Sequence, residues 1–418
     1  MKKYVFCLLV LVMSLAVTSA FGNDDSISEG AVRDSVRESG QTLDSIEVSL
    51  LTCAPGTRIY NLFGHTAIRC HNITKKRDYV FNYGLFSFRQ KGFLWLFATG
   101  QTDYELGVEK HDAFMCEYLK RGRDVTEQML LLTPQEKVRL EEALYLNAMP
   151  ENRVYRYNYF YRNCTTEARD VIFYNALLQN SVQMTGTSKR EPMSYRDVIH
   201  KCAAGHPWSE LAMTLCLGHG ADVQRTAEEL EFLPENLMSD CNAIRCVRMG
   251  DDRGEMPLVG EQQTYKAAPI VHDADVWDVM TPLRCMAVVA VVLICFFFVE
   301  IRRKKIFWGL DVVLLSFIGL SGVVLTVVRF SEHPCVSLNA NWYLFCPIAF
   351  VILFFDIRAC LHRCHTRWWL WSELLFLYLL IVDVTGFQDI PLFTEIMASF
   401  LLLRSMTRRI VYKNQKNV

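Results

Sequence analysis

Cys164 stands directly before "TTEARDVIFYNALL", a run with helical character, so its thiol falls at the first turn of a helix. Unpaired N–H groups and the positive end of the helix dipole stabilise a thiolate there. The backbone N–H of the same residue is suited to an oxyanion hole. A nucleophilic thiol needs a base, and the base needs a group that fixes its tautomer. His65, in "NLFGHTAIRC", follows Gly64 at the start of a β-like run, where a small neighbour leaves room for substrate. Asn82, in "DYVFNYGLF", lies on the next run, and a hairpin would bring it beside His65. Cysteine, histidine and asparagine in this arrangement make a thiol site for acyl transfer or hydrolysis. Asn163 and Thr165, which flank the cysteine, and Tyr83, beside Asn82, are candidates for substrate or oxyanion support. Arg69 and Arg169 could bind a phosphate or support the pair, though such residues more often form structural ion pairs. Alone, Cys164 would more often be a buried thiol or half of a disulfide.

The elements that must hold these residues are legible around them. "IEVSLLTC" alternates as a strand and ends at Pro55 and Gly56; "HTAIRC" and "DYVFNYGLF" form two adjacent antiparallel strands joined through "HNITKKR". Thr133, Pro134 and Glu136 announce a helix with a capping box. Another helix runs on from Thr165, with Ala168, Val171, Ile172 and Leu178 on one side. "SYRDVIHKC" and "PWSELAMTLCLG" fit further amphipathic helices, and residues 186–193 and 249–268 read as loops. These elements give an α+β class for the part of the chain that carries the thiol.

The rest of the chain is a different material. Of 418 residues 51% are hydrophobic, and the excess is concentrated in two places. Residues 1–22 have the basic start, apolar centre and small-residue end of a secretion signal, or of a signal anchor if uncleaved. Residues 23–45 are a polar, flexible leader, and 46–280 an extracytoplasmic domain. Residues 281–418 hold five expected membrane helices: Leu283 to Ile301, Ile306 to Val328, Asn341 to Ile357, Trp368 to Val384 and Ile390 to Leu403. "RRKK", "RACLHRCHTR" and "RSMTRRIVYKNQK" carry the basic residues and belong on the cytoplasmic side; "SEHPCVSLNAN" and "GFQD" then face outward, as does everything before Leu283. Among the eight cysteines of the outer domain, Cys53 with Cys70 or Cys241 with Cys246 are possible disulfides, without fixed connectivity.

The net charge of -1 gives no polybasic surface and no support for nucleic-acid binding. "CLHRCH" has metal-ligand residue types, but its spacing is too cramped for an ordinary zinc module, and no metal or cofactor is expected. None of the ten histidines is followed five positions later by aspartate, so the H-x-x-x-x-D acyltransferase pattern is absent.

The order "GHTAIR", "FNYGLF", "YNYFYRNCTTEARD" resembles the circularly permuted papain-like thiol enzymes, whose histidine strand precedes the cysteine helix. With "HPWSELAMTLCLGHGAD", "EFLPENL" and "HPCVSLNANWYLFCP", the chain after residue 45 resembles the Lnb family of lipoprotein N-acyltransferases. That likeness implies a permuted papain-like periplasmic domain followed by an all-α bundle of five membrane helices, in a bacterial cytoplasmic (inner) membrane. It implies that Cys164 takes an acyl group from a membrane phospholipid, with His65 as base, and passes it to the α-amine of a diacylated lipoprotein cysteine. The outward loop bearing His333, Asn339, Asn341 and Trp342 would line lipid access, or else form a turn with an interfacial tryptophan. Tyr157, Tyr159 and Tyr161 would border the acyl chain or serve as packing. Two other readings stand beside this one: a membrane-anchored cysteine hydrolase of cell wall or protein, and an inactive membrane scaffold. The membrane helices speak against the first of these, and the presence of both Cys164 and His65 against the second.

Overall fold

The computed structural model describes residues 44–86, 91–177, 182–186, 189–249, 254–269, 276–361 and 369–416. The expected signal and nearly all of the leader lie outside these residues, as do Leu178 and most of "CLHRCH". The chain forms two compact units. One takes the described residues of Met1–Pro192 and Arg225–His272, the other those of Met193–Gln224 and Asp273–Val418. The stretch 193–224, expected within the outer domain, thus clusters with the C-terminal helices.

The first unit is built on an antiparallel sheet. Its first six strands in chain order are β1 (Ile46–Cys53), β2 (His65–Asn72), β3 (Arg77–Leu85), β4 (Asp103–Lys110), β5 (Val125–Leu130) and β6 (Val154–Arg156). A seventh strand, Val259–Tyr265, sits at one edge, giving the order Val259–Tyr265, β5, β1, β2, β3, β4, β6. That edge strand falls in a stretch expected to be loop. Only its first residue is buried, so its sequence has no apolar alternation to read. The central strand β1 is apolar on both sides because both faces of the sheet are covered. Val48, Leu50, Ile68 and Phe81 face one core, with the helices Pro134–Asn147 and Pro234–Ala243. Leu51, Cys53, Ala67 and Val80 face a smaller core against the helix His111–Lys120. Each fully buried large apolar side chain contributes about 1.5–3 kcal/mol. The β2–β3 pair is antiparallel as expected, with Ile68 opposite Phe81. The Thr133 capping box is also formed, the side chains of Thr133 and Glu136 each bonding the other's backbone N–H.

The candidate disulfides do not form: Cys53, Cys70, Cys241 and Cys246 are free thiols. On β1–β2, Cys53 pairs with His65 whereas Cys70 pairs with Val48. Five strand steps, about 17 Å, separate them, far beyond the reach of a bridge.

In the second unit, helices occupy all five expected span positions. Three of them, Pro282–Arg303, Trp308–Arg329 and Asn341–Leu361, are long and apolar enough to cross a membrane among the described residues. Leu370–Val384 is apolar but has only 15 residues, and Leu392–Lys416 runs to 25, well past its expected end at Leu403. The extension is explained by Arg404 and Arg408. Both are buried in ion pairs with Glu300, Asp311 and Asp356 and are not part of a solvated basic tail.

The segment 193–224 forms two helices, Tyr195–Cys202 and Pro207–Cys216, around the buried Arg196. Arg196 grips Asp222 through Nε (2.6 Å) and Nη2 (3.1 Å) and donates to the carbonyls of Thr214 and Leu217. The two loops expected to face outward hold this segment: Asn339 Nδ2 donates to Leu215 O (2.8 Å) and Gln388 Nε2 to Leu217 O (3.3 Å).

Candidate active site

The site lies at the end of β2, where the two cores of the first unit meet. Gly64 turns the chain into that strand at φ +84°, and a Cβ there would come within 2.9 Å of the Cys53 carbonyl. The glycine is therefore needed for the turn itself; this is a tighter constraint than room for substrate. Immediately after it, His65 projects from the first residue of β2 and is half-buried. Continuing the register of Ile68 with Phe81 puts Asn82 opposite Ala67, on the same face as His65 and two residues along. The two side chains meet: His65 Nε2 and Asn82 Oδ1 are 2.6 Å apart. Since the asparagine oxygen can only accept, the imidazole carries its proton on Nε2, and Nδ1 is left for the thiol. Asn82 is fixed in turn, its Nδ2 donating to Glu109 Oε1 at 3.1 Å. On the other side of the imidazole, the Tyr118 ring stacks at 5.9 Å between centroids.

Cys164 opens its helix as expected, and Asn163 caps it. Asn163 Oδ1 accepts from the N–H groups of Thr165 (2.8 Å) and Thr166 (3.0 Å), while its Nδ2 donates to the carbonyls of Tyr159 and Phe232. Both amide hydrogens are thus committed, and Asn163 serves as a capping residue with none left for substrate. The cap also ties the cysteine helix to the turn at Phe232. Beyond Asp170 the helix widens into π-type turns over Val171–Ala176.

The helix start approaches the sheet at Gly84. A Cβ at this residue would lie 3.3 Å from Cys164 Cβ and 3.8 Å from the hydroxyl of Tyr155, and its φ is +90°. Only glycine admits the cysteine this closely. Thr165, fully buried, places its hydroxyl 3.1 Å from that of Thr66 and 3.8 Å from Cys164 Sγ.

These contacts act on the thiol. Burial favours its neutral form, but His65 beside it, the Thr66 backbone N–H and the Thr165 hydroxyl together bring Cys164 down from 9.0 to about 7. For His65, burial disfavours the imidazolium, and the bonds to Cys164 and Asn82 outweigh it, so its pKa is raised. Cys53, buried in the neighbouring core, shows the opposite behaviour, its thiol pushed far up by burial. The arrangement therefore selects one cysteine for ionisation and pairs it with an imidazole of fixed tautomer.

The remaining expected residues fall elsewhere. Tyr83 points into the core, its hydroxyl accepting from Asn147 Nδ2 at 3.0 Å. Arg69 is held by Asp78 (2.6 Å) and Glu127 (2.9 Å) in the middle of β2, and Arg169 by Asp170 (2.7 Å) and Glu231 (3.4 Å). Both are ion-paired, which is the structural alternative. His333, Asn339 and Asn341 belong to the second unit. There Asn341 Oδ1 accepts from Thr394 (2.8 Å), and the Asn339 oxygen accepts from Gln388 and from the Asn341 N–H. Of the three tyrosines before the cysteine, Tyr157 stacks on Tyr104 at 3.9 Å, Tyr159 meets Phe160 edge-on and Tyr161 is exposed.

Five residues at the site were not singled out from sequence: Thr66, Gly84, Glu109, Tyr118 and Tyr155. Tyr155 is 6% exposed, and its hydroxyl has no hydrogen-bond partner among the described residues. A glycine inside the otherwise apolar "YVFNYGLF" was the available signal for Gly84, since glycine in a strand marks a close approach.

A family model described as the Lnb N-terminal periplasmic domain matches residues 37–201, and one described as the Lnb transmembrane domain matches residues 274–416. No curated protein and no solved structure matches the chain.

Proposed function

From the premise that this chain belongs to the Lnb family, with its periplasmic and its transmembrane domain both present, we propose that it is a lipoprotein N-acyltransferase working through Cys164. Family membership places it among membrane proteins with a periplasmic domain and a part in lipoprotein N-acylation. The finer reading of the reaction rests on one observation, and the inner membrane as its site is part of the same proposal. His65, held by Asn82 at 2.6 Å through Nε2, and the Cys164 helix start, brought against β3 at Gly84, stand together so that the thiol is lowered to about 7 beside the imidazole.

In the first half-reaction the Cys164 thiolate attacks an ester carbonyl carbon of a phospholipid. A C–S bond forms, the ester C–O bond breaks, and the His65 imidazolium gives its proton to the departing alkoxide, releasing a lysophospholipid. In the second, the α-amine of a diacylated lipoprotein cysteine attacks the thioester. His65 takes the amine proton, the C–S bond breaks, and an amide is left on the lipoprotein. The Cys164 N–H at the helix start and the Tyr155 hydroxyl are the donors suited to the tetrahedral oxyanion. The papain-like, permuted descent of the domain and the count of five membrane-spanning helices belong to the same proposal, as does a boundary near residue 280.

The test is mass spectrometry of a lipoprotein N-terminus from bacteria lacking their own N-acylation. Supplying this protein should add a third acyl chain, and Cys164→Ser or His65→Ala should leave only the diacyl form. Diacyl species alone with the inserted wild-type protein would overturn the reading. Free fatty acid released without lipoprotein acylation would assign the same dyad to a hydrolase.

A further inference from the structure

The first unit exposes an apolar helix that the chemistry above does not use. Phe93–Thr99, "FLWLFAT", contains no ionic residue, and Trp95 is 63%, Leu94 51% and Phe97 39% exposed. Seven helical residues span about 10 Å, too short to cross a bilayer and long enough to lie in its interface. Large aromatic and aliphatic side chains are not left in water at such density without a partner.

Two further observations say what the partner is. First, the helix connects to the thiol through stacked rings. Phe97 packs on Phe93 (6.0 Å), Phe93 on Phe86 (5.7 Å), Phe86 on Tyr104 (4.8 Å) and Tyr104 on Tyr157 (3.9 Å). Tyr104 belongs to the same core cluster against which Tyr157 and Cys164 both pack. Second, the apolar strip has a cationic border. Arg58 Nη1 donates to Tyr60 at 3.2 Å, the Tyr60 ring meets Phe86 at 6.1 Å, and Lys91 is exposed just ahead of the helix. An apolar surface edged by positive charge complements a phospholipid leaflet, with acyl chains inside and phosphates at the rim.

We propose that Phe93–Thr99 is an interfacial helix that docks the first unit on the bilayer, and that the aromatic strip behind it is the wall along which an acyl chain reaches Cys164. Its purpose rests on the acyl-transfer reading, but its contact with lipid does not. That separation decides the experiment. The full-length protein is reconstituted in vesicles of phosphatidylcholine and phosphatidylglycerol, with and without bromine on the acyl chains. Since the chain holds eight tryptophans, the Trp95 signal is taken as the difference between wild type and Trp95→Phe. The expected result is that bromolipid quenches the Trp95 component and aqueous iodide does not. Quenching by iodide alone would show a solvated helix, and quenching by neither would show a helix covered by protein; either overturns the proposal, whatever reaction the thiol performs. Leu94→Ser with Trp95→Ser should then cut acyl-Cys164 formation at least tenfold while leaving alkylation of Cys164 by iodoacetamide unchanged. Unchanged acylation in that double variant would overturn the acyl-path half of the proposal.

Discussion

The buried polar groups around Cys164 and those around Arg404 are held on opposite terms. At the thiol the partners are mostly neutral. Asn82, Thr66, Thr165 and a helix start surround one imidazole, whose pKa is raised, and one sulfur, whose pKa is lowered to about 7. In the helical unit, Arg404 and Arg408 share Asp311 and reach Glu300 and Asp356, all at 4% exposure or less. Four elements are joined there by two guanidinium groups and three carboxylates in direct ion pairs. In the proposed function the first cluster keeps a reactive pair available, whereas the second joins helices by ion pairs. The difference teaches that burial and charge do not by themselves mark chemistry; a thiol whose pKa falls despite its burial does.

That contrast can be broken most directly by removing one member of each cluster. His65→Ala should lower acyl transfer by about 10³-fold or more, since nucleophile and base act as a unit, while thermal unfolding in detergent moves little. Arg404→Ala should do the reverse. It leaves Glu300 buried without its cation and Asp311 with Arg408 alone, at about 3–5 kcal/mol, read as a lowered unfolding midpoint, with Cys164 alkylation intact in the folded fraction. Activity loss without destabilisation in the second variant would dissolve the distinction.

A smaller effect tests the tautomer. Asn82→Ala should reduce turnover about 10–100-fold, because the imidazole loses the acceptor that holds its Nε2 proton. The pH profile carries the sign. Cys164 is lowered to about 7, so thiolate forms as pH rises through that value, and iodoacetamide alkylation should reach half its plateau near neutrality. In His65→Ala the largest lowering cause is gone, burial remains, and the midpoint should move alkaline past the ordinary thiol value of 9.0. A midpoint that stays neutral would remove His65 from the ionisation.

The smallest effect belongs to the cap. Asn163→Ala should cost about 0.5–2 kcal/mol of stability with less than a tenfold loss of rate, measured by denaturation and by acyl-enzyme formation. A larger kinetic loss would assign Asn163 more than the capping role that its bonds describe.

The residues that could be read from sequence are those whose signals are local. The alternation of β1, the Thr133 box, and glycine–histidine at a strand start each announce themselves within ten residues. Asn82 was within reach because a hairpin converts sequence order into adjacency. Glu109, Tyr118 and Tyr155 were not, since they come to the site from three separate elements with no spacing that points to His65. The edge strand Val259–Tyr265 was read as loop for the opposite reason: it is nearly all polar and exposed, and only pairing with β5 makes it a strand. The helices of 193–224 were legible as amphipathic helices, but an apolar stripe does not say which core it will join.

The bond from Asn163 to the Phe232 carbonyl and the pairing of Val259–Tyr265 with β5 have a consequence for how the molecule is made. A ribosome delivers residues 193–224, which settle with the helices, before it delivers the stretch 225–265 that completes the sheet and clamps the cysteine helix. The thiol therefore cannot mature as the chain first emerges. Its assembly waits for a later length of polypeptide, and a fragment cut at residue 201 would carry every reacting group without the parts that secure them.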